Sequence, residues 1–308
     1  MSKSSIMARE NNALSAFILR WGFAAIWALL PFMAGPALAT ALELQDQLFQ
    51  SVGSLILWIA WAIVLSAAVV PRTTTLTVAR IIAPASVIVT MWAAVAMDSP
   101  NLANGSALVA SIIAASVVLL PAVGEHFVNG SSYGDEHRFP LRAPGMLLIG
   151  PIEIAWLVTV LGVTAGPLLL ASRQLLIGAF ALAIGWPAAW IAARSLHLLA
   201  RRWLVFTPAG VVLHDPLSVV EAMLVLRNQV KSIGPADHDS AAKDLTQSSP
   251  GLALEIGMVD PLAISPTPVR HWRERGTVVS EDVTSVLFTP SRPGAVLRAA
   301  ARRRFSRG

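Results

Sequence analysis

Glu153 is the residue on which any intramembrane chemistry of this chain would turn. It is the one carboxylate well inside an apolar run, Met146 to about Ala165. An ionisable group there is costly and has to face a protein interior, a water-filled cavity or an opposite charge. Arg20, Arg80 and Arg194 enter apolar runs of their own, so two chemistries follow: a structural Glu–Arg pair fixing helix packing, or a proton or ion relay. The pair is the simpler expectation, because no second intramembrane acid accompanies Glu153.

The C-terminus offers a second chemistry. Arg292, Arg298, Arg302, Arg303, Arg304 and Arg307 occur there without an intervening acid. Arginines near a membrane surface attract anionic headgroups at about 1 kcal/mol each. Val296, Leu297, Ala300 and Phe305 give the same segment an apolar side, which packs on a neighbouring domain or lies in a lipid interface. Packing is the first expectation, with Arg298, Arg302, Arg303, Arg304 and Arg307 adding lipid contact. Nucleic acid is not expected, because only Phe305 is available to stack on bases.

The remaining reactive types give little. Asp135-Glu136-His137 and Asp237-His238-Asp239 lie in polar stretches, and His214-Asp215 are adjacent on a strand, where side chains point to opposite faces and do not converge on a metal. No cysteine is present, which removes disulfides, thiolate nucleophiles and thiolate-ligated zinc. No HExxH, Walker, dinucleotide or nucleophile-elbow pattern occurs. Neither a metal nor a cofactor is expected.

The elements that hold these residues are set by the solvent. Hydrophobic residues make up 55% of 308 positions against 13% charged, with a mean hydropathy of +0.64. Soluble domains carry roughly 25% charge, so lipid surrounds much of this chain. About 20 apolar residues cross a hydrocarbon core, and six runs qualify, at about 17–39, 52–70, 78–97, 107–123, 146–165 and 175–199. Proline breaks the pattern at Pro31, Pro36 and Pro187, where kinks are expected. Gly150-Pro151 and Gly166-Pro167 read as helix ends, and Ser106-Ala110-Ala114 as close helix packing. Oligomerisation is left open.

Basic residues orient the spans. Lys3, Arg9, Arg20, Arg72, Arg80, Arg138, Arg142, Arg194, Arg201 and Arg202 fall on one side and Arg173 alone on the other. Cytoplasmic loops hold that excess, so both termini are expected in the cytoplasm, with the chain in the cell inner (cytoplasmic) membrane. Ala37-Leu38-Ala39 also mimics a signal-peptide cleavage site; cleavage at Ala39 would leave five spans in the same orientation.

From 201 to 308 short β-like runs replace the long blocks: Trp203 to Thr207, Val211 to His214, Ala222 to Leu226, Leu252 to Ile256 and Thr284 to Thr289. Pro208-Ala209-Gly210 is a hairpin connection between the first two. Residues 234–251 read as a solvated loop and Gly294 to Phe305 as a basic helix. The stretches RRWLVFTPAGVVLHDP at 201–216 and VLFTPSRPGAVLRAAARRR at 286–304 resemble those of bacterial pleckstrin-homology (PH)-like domains attached to membrane proteins, and the chain resembles actinobacterial multi-pass membrane proteins. The resemblance implies a cytosolic β-rich module with a closing helix that contacts a partner protein or lipid. The expected whole is thus a six-helix membrane bundle followed by that module, a non-catalytic scaffold. The alternative is a small-solute transporter, or a subunit of one, using Glu153.

Overall fold

The computed structural model describes residues 3–97, 102–267 and 280–306, with side chains from residue 21 onward. The chain divides into two compact units, Met1–Gly130 with Ile154–Ser195, and Ser131–Glu153 with Leu196–Gly308. Each draws on two separate stretches of sequence.

The first unit is helical. Its elements are α1 (Lys3–Glu43), α2 (Gln47–Val69), α3 (Thr73–Val95), α4 (Leu102–Leu119), the short α5 (Pro121–Asn129), α6 (Pro151–Ala171) and α7 (Leu175–Ala200), whose last turn passes into the second unit. Six of them contain segments long and apolar enough to cross a membrane, Trp21–Glu43, Gln47–Val69, Thr73–Val95, Leu102–Leu119, Pro151–Ala171 and Leu175–Ala200. The spans read from sequence are all present, with shifted ends.

Helices α1 to α4 pack on one another through alternating three- and four-residue steps. Phe23, Trp27, Leu30, Ala34, Ala37 and Ala41 form the buried stripe of α1, and Asn104, Ala107, Ser111, Ala114 and Val118 that of α4. This is the spacing of a helix-packing seam. Its small residues let backbones approach where hydrophobic collapse supplies no force. Helices α6 and α7 form a tighter pair: a Cβ built on Gly185 would lie 2.9 Å from the Gly162 carbonyl oxygen. Only glycine at both positions permits that crossing.

Prolines inside these helices leave carbonyls without partners, since proline has no N–H and its ring crowds the carbonyl four residues back. Pro31 leaves the Trp27 carbonyl, and the Trp61 indole donates to it at 3.1 Å. The Trp27 indole returns the bond to the Trp61 carbonyl at 2.9 Å. Near Pro84 of α3, the Trp156 indole of α6 donates to the Ile81 carbonyl at 2.9 Å. Indole N–H groups thus tie α1 to α2 and α6 to α3.

The second unit holds two sheets and a helix. Strands β1 (His137–Pro140), β2 (Trp203–Phe206), β3 (Gly210–His214) and β4 (Met223–Leu226) form an antiparallel sheet in that order. Strands β5 (Val230–Pro235), β6 (Lys243–Asp244), β7 (Leu254–Ile264) and β8 (Glu281–Phe288) form the second, ordered β5-β7-β8-β6, with β6 parallel to β8. Helix α8 (Pro293–Arg302) closes the unit. One core joins them: Phe139, Leu204, Phe206, Leu213, Ile233, Leu254, Ile256 and Phe288 pack with Val296, Ala299, Ala300 and Phe305.

The β-rich region read from sequence at 201–308 therefore gains a strand from outside it. Strand β1 comes from the connection between α5 and α6, and hydrogen-bonds to β2 with Arg138 opposite Val205. The expected solvated loop at 234–251 is also more ordered than its composition implied, since it contains β6 and the buried Leu245.

Candidate functional site

Glu153 does not occupy the place that its sequence surroundings gave it. The helix expected from Met146 begins only at Pro151, because Gly150 takes a positive φ of 101° after a 3-10 turn at Gly145–Leu147. Glu153 therefore sits in the first turn and is exposed. Its carboxylate accepts the Gly150 N–H at 2.9 Å. That is a capping interaction, favoured by the partial positive charge at a helix start. Among the described residues it has no ion pair with an arginine. Arg194 is exposed on α7, and the side chain of Arg20 lies outside the described residues.

Arg80 does enter the helical unit, with a different partner. Its Nε donates toward the Val118 carbonyl at 3.4 Å, in the last turn of α4. Carbonyls there lack intrahelical donors and carry the negative end of the helix dipole. The guanidinium rests against Gly124 of α5, where an added Cβ would lie 2.7 Å from Nη2. Glu125, the next residue, is the buried carboxylate among the described residues of this unit. Sequence reasoning missed it by running span four through Val123; Pro121, which starts a new helix there, was the available signal.

In the β unit the buried charges are Arg202 and Asp215. Both are 1% exposed and meet in a two-pronged pair, Nε to Oδ1 and Nη2 to Oδ2, each 2.7 Å. Arg202 also donates to the Arg142 carbonyl at 2.6 Å, while Asp215 accepts from the Ser218 hydroxyl at 2.7 Å and the Leu217 N–H at 3.1 Å. A buried pair persists only when its remaining donors and acceptors are met, and here the bonds reach the exit of β1, β2, β3 and the following turn.

The C-terminal arginines divide by exposure. Arg303 is held at 3.1 Å from Asp135 Oδ1. Arg298, Arg302 and Arg304 are exposed, and Arg307 lies outside the described residues. Beneath them Val296, Ala299, Ala300 and Phe305 are buried in the core, so the helix packs on the β unit as the apolar side implied. Its end is a left-handed cap: Arg304 has φ 58°, its N–H reaches the Ala301 carbonyl at 3.1 Å, and the Phe305 N–H reaches Ala300 at 3.1 Å.

A groove of about 410 Å³ runs over the outer face of the first sheet, lined by Glu136, Arg138, Arg201, Trp203, Val205, Thr207, Val212, His214 and Ala222. Its position follows from strand alternation: Leu204, Phe206 and Leu213 turn inward, and their neighbours Trp203, Val205, Val212 and His214 line the groove. Arg138 pairs with Glu136 at 3.2 Å and lies 5.7 Å over the Trp203 ring. The Trp203 and His214 rings are 5.0 Å apart. Burial and the nearby Arg201 hold the His214 imidazole below its usual pKa, with Arg138 adding to that and Asp215 opposing it. Among the described residues no group of three or more His, Asp or Glu could hold a metal ion.

Six spanning-length apolar helices joined to a two-sheet unit support a coarse class, the multi-pass α-helical membrane proteins. Within that class no family model, curated protein or solved structure matches the chain.

Proposed function

We propose that the chain is a non-catalytic scaffold of the cytoplasmic membrane, with a PH-like β unit on the cytoplasmic side that contacts anionic lipid or a partner protein. Two sheets sharing a core with a C-terminal helix support the PH-like reading, as does the resemblance to actinobacterial membrane proteins of that build. The basic residues support the orientation. Pairing of β1 with β2 adds that the segments before α6 and after α7 share one side of any membrane this hairpin crosses. The Glu153 carboxylate is engaged in capping the Gly150 N–H, which supports the scaffold reading over the transport alternative.

One observation carries the lipid contact: Arg298, Arg302 and Arg304 stay exposed around a helix whose apolar side is already occupied. The helix need not insert, so its charges act from the surface. Absence of native cysteine permits a single label at Gly294→Cys, at the exposed start of α8. In nanodiscs of phosphatidylglycerol an environment-sensitive fluorophore there shifts to the blue relative to phosphatidylcholine. The shift disappears in about 1 M salt, where the screening length is about 3 Å. Identical spectra in both lipids at low salt would dispose of the lipid contact.

A further inference from the structure

The outer groove of the first sheet is built unlike a solvated sheet face. One end carries Trp203 and His214 on adjacent strands, Arg201 in the turn that precedes Trp203, and Arg138 on the neighbouring β1. Arg201 is exposed and its guanidinium makes no ion pair among the described residues. From Arg138 the cross-strand register leads through Val205 and Val212 to Leu224, which is 46% exposed. That row covers three strand spacings, roughly 14 Å, and passes from cation to apolar.

We propose that this groove binds one anionic amphiphile, a phosphate head between Arg201, Arg138 and His214 with its acyl chain along Val205 and Val212 toward Leu224, the cross-strand neighbour of Val212 beyond the groove's rim. Arg201 offers a whole guanidinium fork, while Arg138, donating to Glu136 at 3.2 Å and Ser131 at 3.1 Å, adds positive charge beside it; the three free oxygens of a phosphate monoester engage the Arg201 fork and the His214 ring together, where a carboxylate has only two. The apolar row requires a chain as well as a head. The sequence supplies proximity to such molecules: Arg201 directly follows the last residue of α7, an apolar helix of spanning length. The inference rests on the membrane-anchored reading but uses residues other than the C-terminal arginines, and a single bound molecule replaces a diffuse surface attraction.

His214 reports occupancy. Arg201, Arg138, Asp215 and Glu136 are the charged groups around it, and the two arginines help keep the ring neutral. A phosphate between them offsets their charge and favours the imidazolium, so occupancy moves the His214 titration to higher pH.

The test uses the full-length protein in a neutral maltoside detergent, titrated with dioctanoyl phosphatidic acid and followed by native mass spectrometry. A single saturable adduct is expected. Arg201→Gln and Arg138→Gln should each weaken it about tenfold, the effect of one charge-assisted hydrogen bond, while the Arg298→Gln/Arg302→Gln variant leaves it unchanged. In histidine-labelled protein, assigned with His214→Gln, the His214 titration moves to higher pH on saturation. Equal affinity for inorganic phosphate or dioctanoyl phosphatidylcholine would overturn the proposal, as would an unaltered adduct in Arg201→Gln. Loss of the adduct in the Arg298/Arg302 variant alone would also overturn it, assigning the lipid to the tail. A null result for the label at position 294 bears only on the tail.

Discussion

The two units meet the same obligation, satisfying polar groups away from water, by opposite means. The helical unit supplies neutral indole donors to backbone carbonyls, Trp61 to the Trp27 carbonyl freed by Pro31 and Trp156 to the Ile81 carbonyl near Pro84, and caps α4 with Arg80. The β unit buries a full ion pair, Arg202 with Asp215, and surrounds it with further bonds. A neutral bond can be lost at modest cost because little charge is stranded. A buried pair cannot lose one member without leaving the other uncompensated in low dielectric.

The largest effect is therefore expected in the β unit. Asp215→Ala should destabilise it by about 3–5 kcal/mol, read as faster amide exchange or proteolysis at 203–226 in the full-length protein with the helical unit unaffected. Replacing both members, Arg202→Met with Asp215→Leu, should recover much of the loss; no recovery would mean that the pair is valued for more than mutual neutralisation. In the helical unit Trp61→Phe leaves the Trp27 carbonyl bare and should cost about 1 kcal/mol, the scale of hydrogen bonds between membrane helices. A loss as large as that of Asp215→Ala, measured by unfolding in detergent, would erase the contrast between the units.

Smaller effects sharpen it. Arg304→Gly should raise β-unit stability by roughly 0.5–1 kcal/mol, relief of left-handed strain less the charge lost at a helix end; a decrease would mean that the side chain holds a contact. Glu153→Gln keeps an acceptor for Gly150 and forfeits only the charge near the helix start, about 0.3–1 kcal/mol. Thermal unfolding that moved by more than a few degrees would restore Glu153 to a buried role.

What was legible in the sequence follows the same division. Long apolar runs, with at most one charge in each, marked every helix of spanning length, because about 20 apolar residues are what a hydrocarbon core requires. Their ends were less legible: composition alone continued the fifth run back to Met146, past the helix start at Pro151, and so set Glu153 deeper in its run than the first helical turn it occupies. Trp203 to Thr207 and Val211 to His214 were readable as a hairpin, and its register, Trp203 opposite His214, sets Arg202 opposite Asp215 one step further. The sequence therefore contained that pair, although Arg202 had been counted only as a topological charge. Strand β1 was not readable: four residues, His137 to Pro140, show too little alternation to stand out, and their pairing is set by partners far along the chain. Without β1 the groove has only one wall.

That distant pairing also governs how the protein is made. Arg142, just beyond β1, and Arg202, just before β2, bond across a sequence separation of 60, and α6 and α7 are synthesised between them. At 5–20 residues per second, β1 waits roughly 3–12 s for its neighbour. During that interval its ladder groups are open to other strands, and the hairpin has to enter the membrane and return before the first sheet can close. Assembly of the β unit is thereby a checkpoint on insertion: a chain whose α6–α7 hairpin fails to come back has β1 and β2 on opposite sides and no folded domain at its C-terminus.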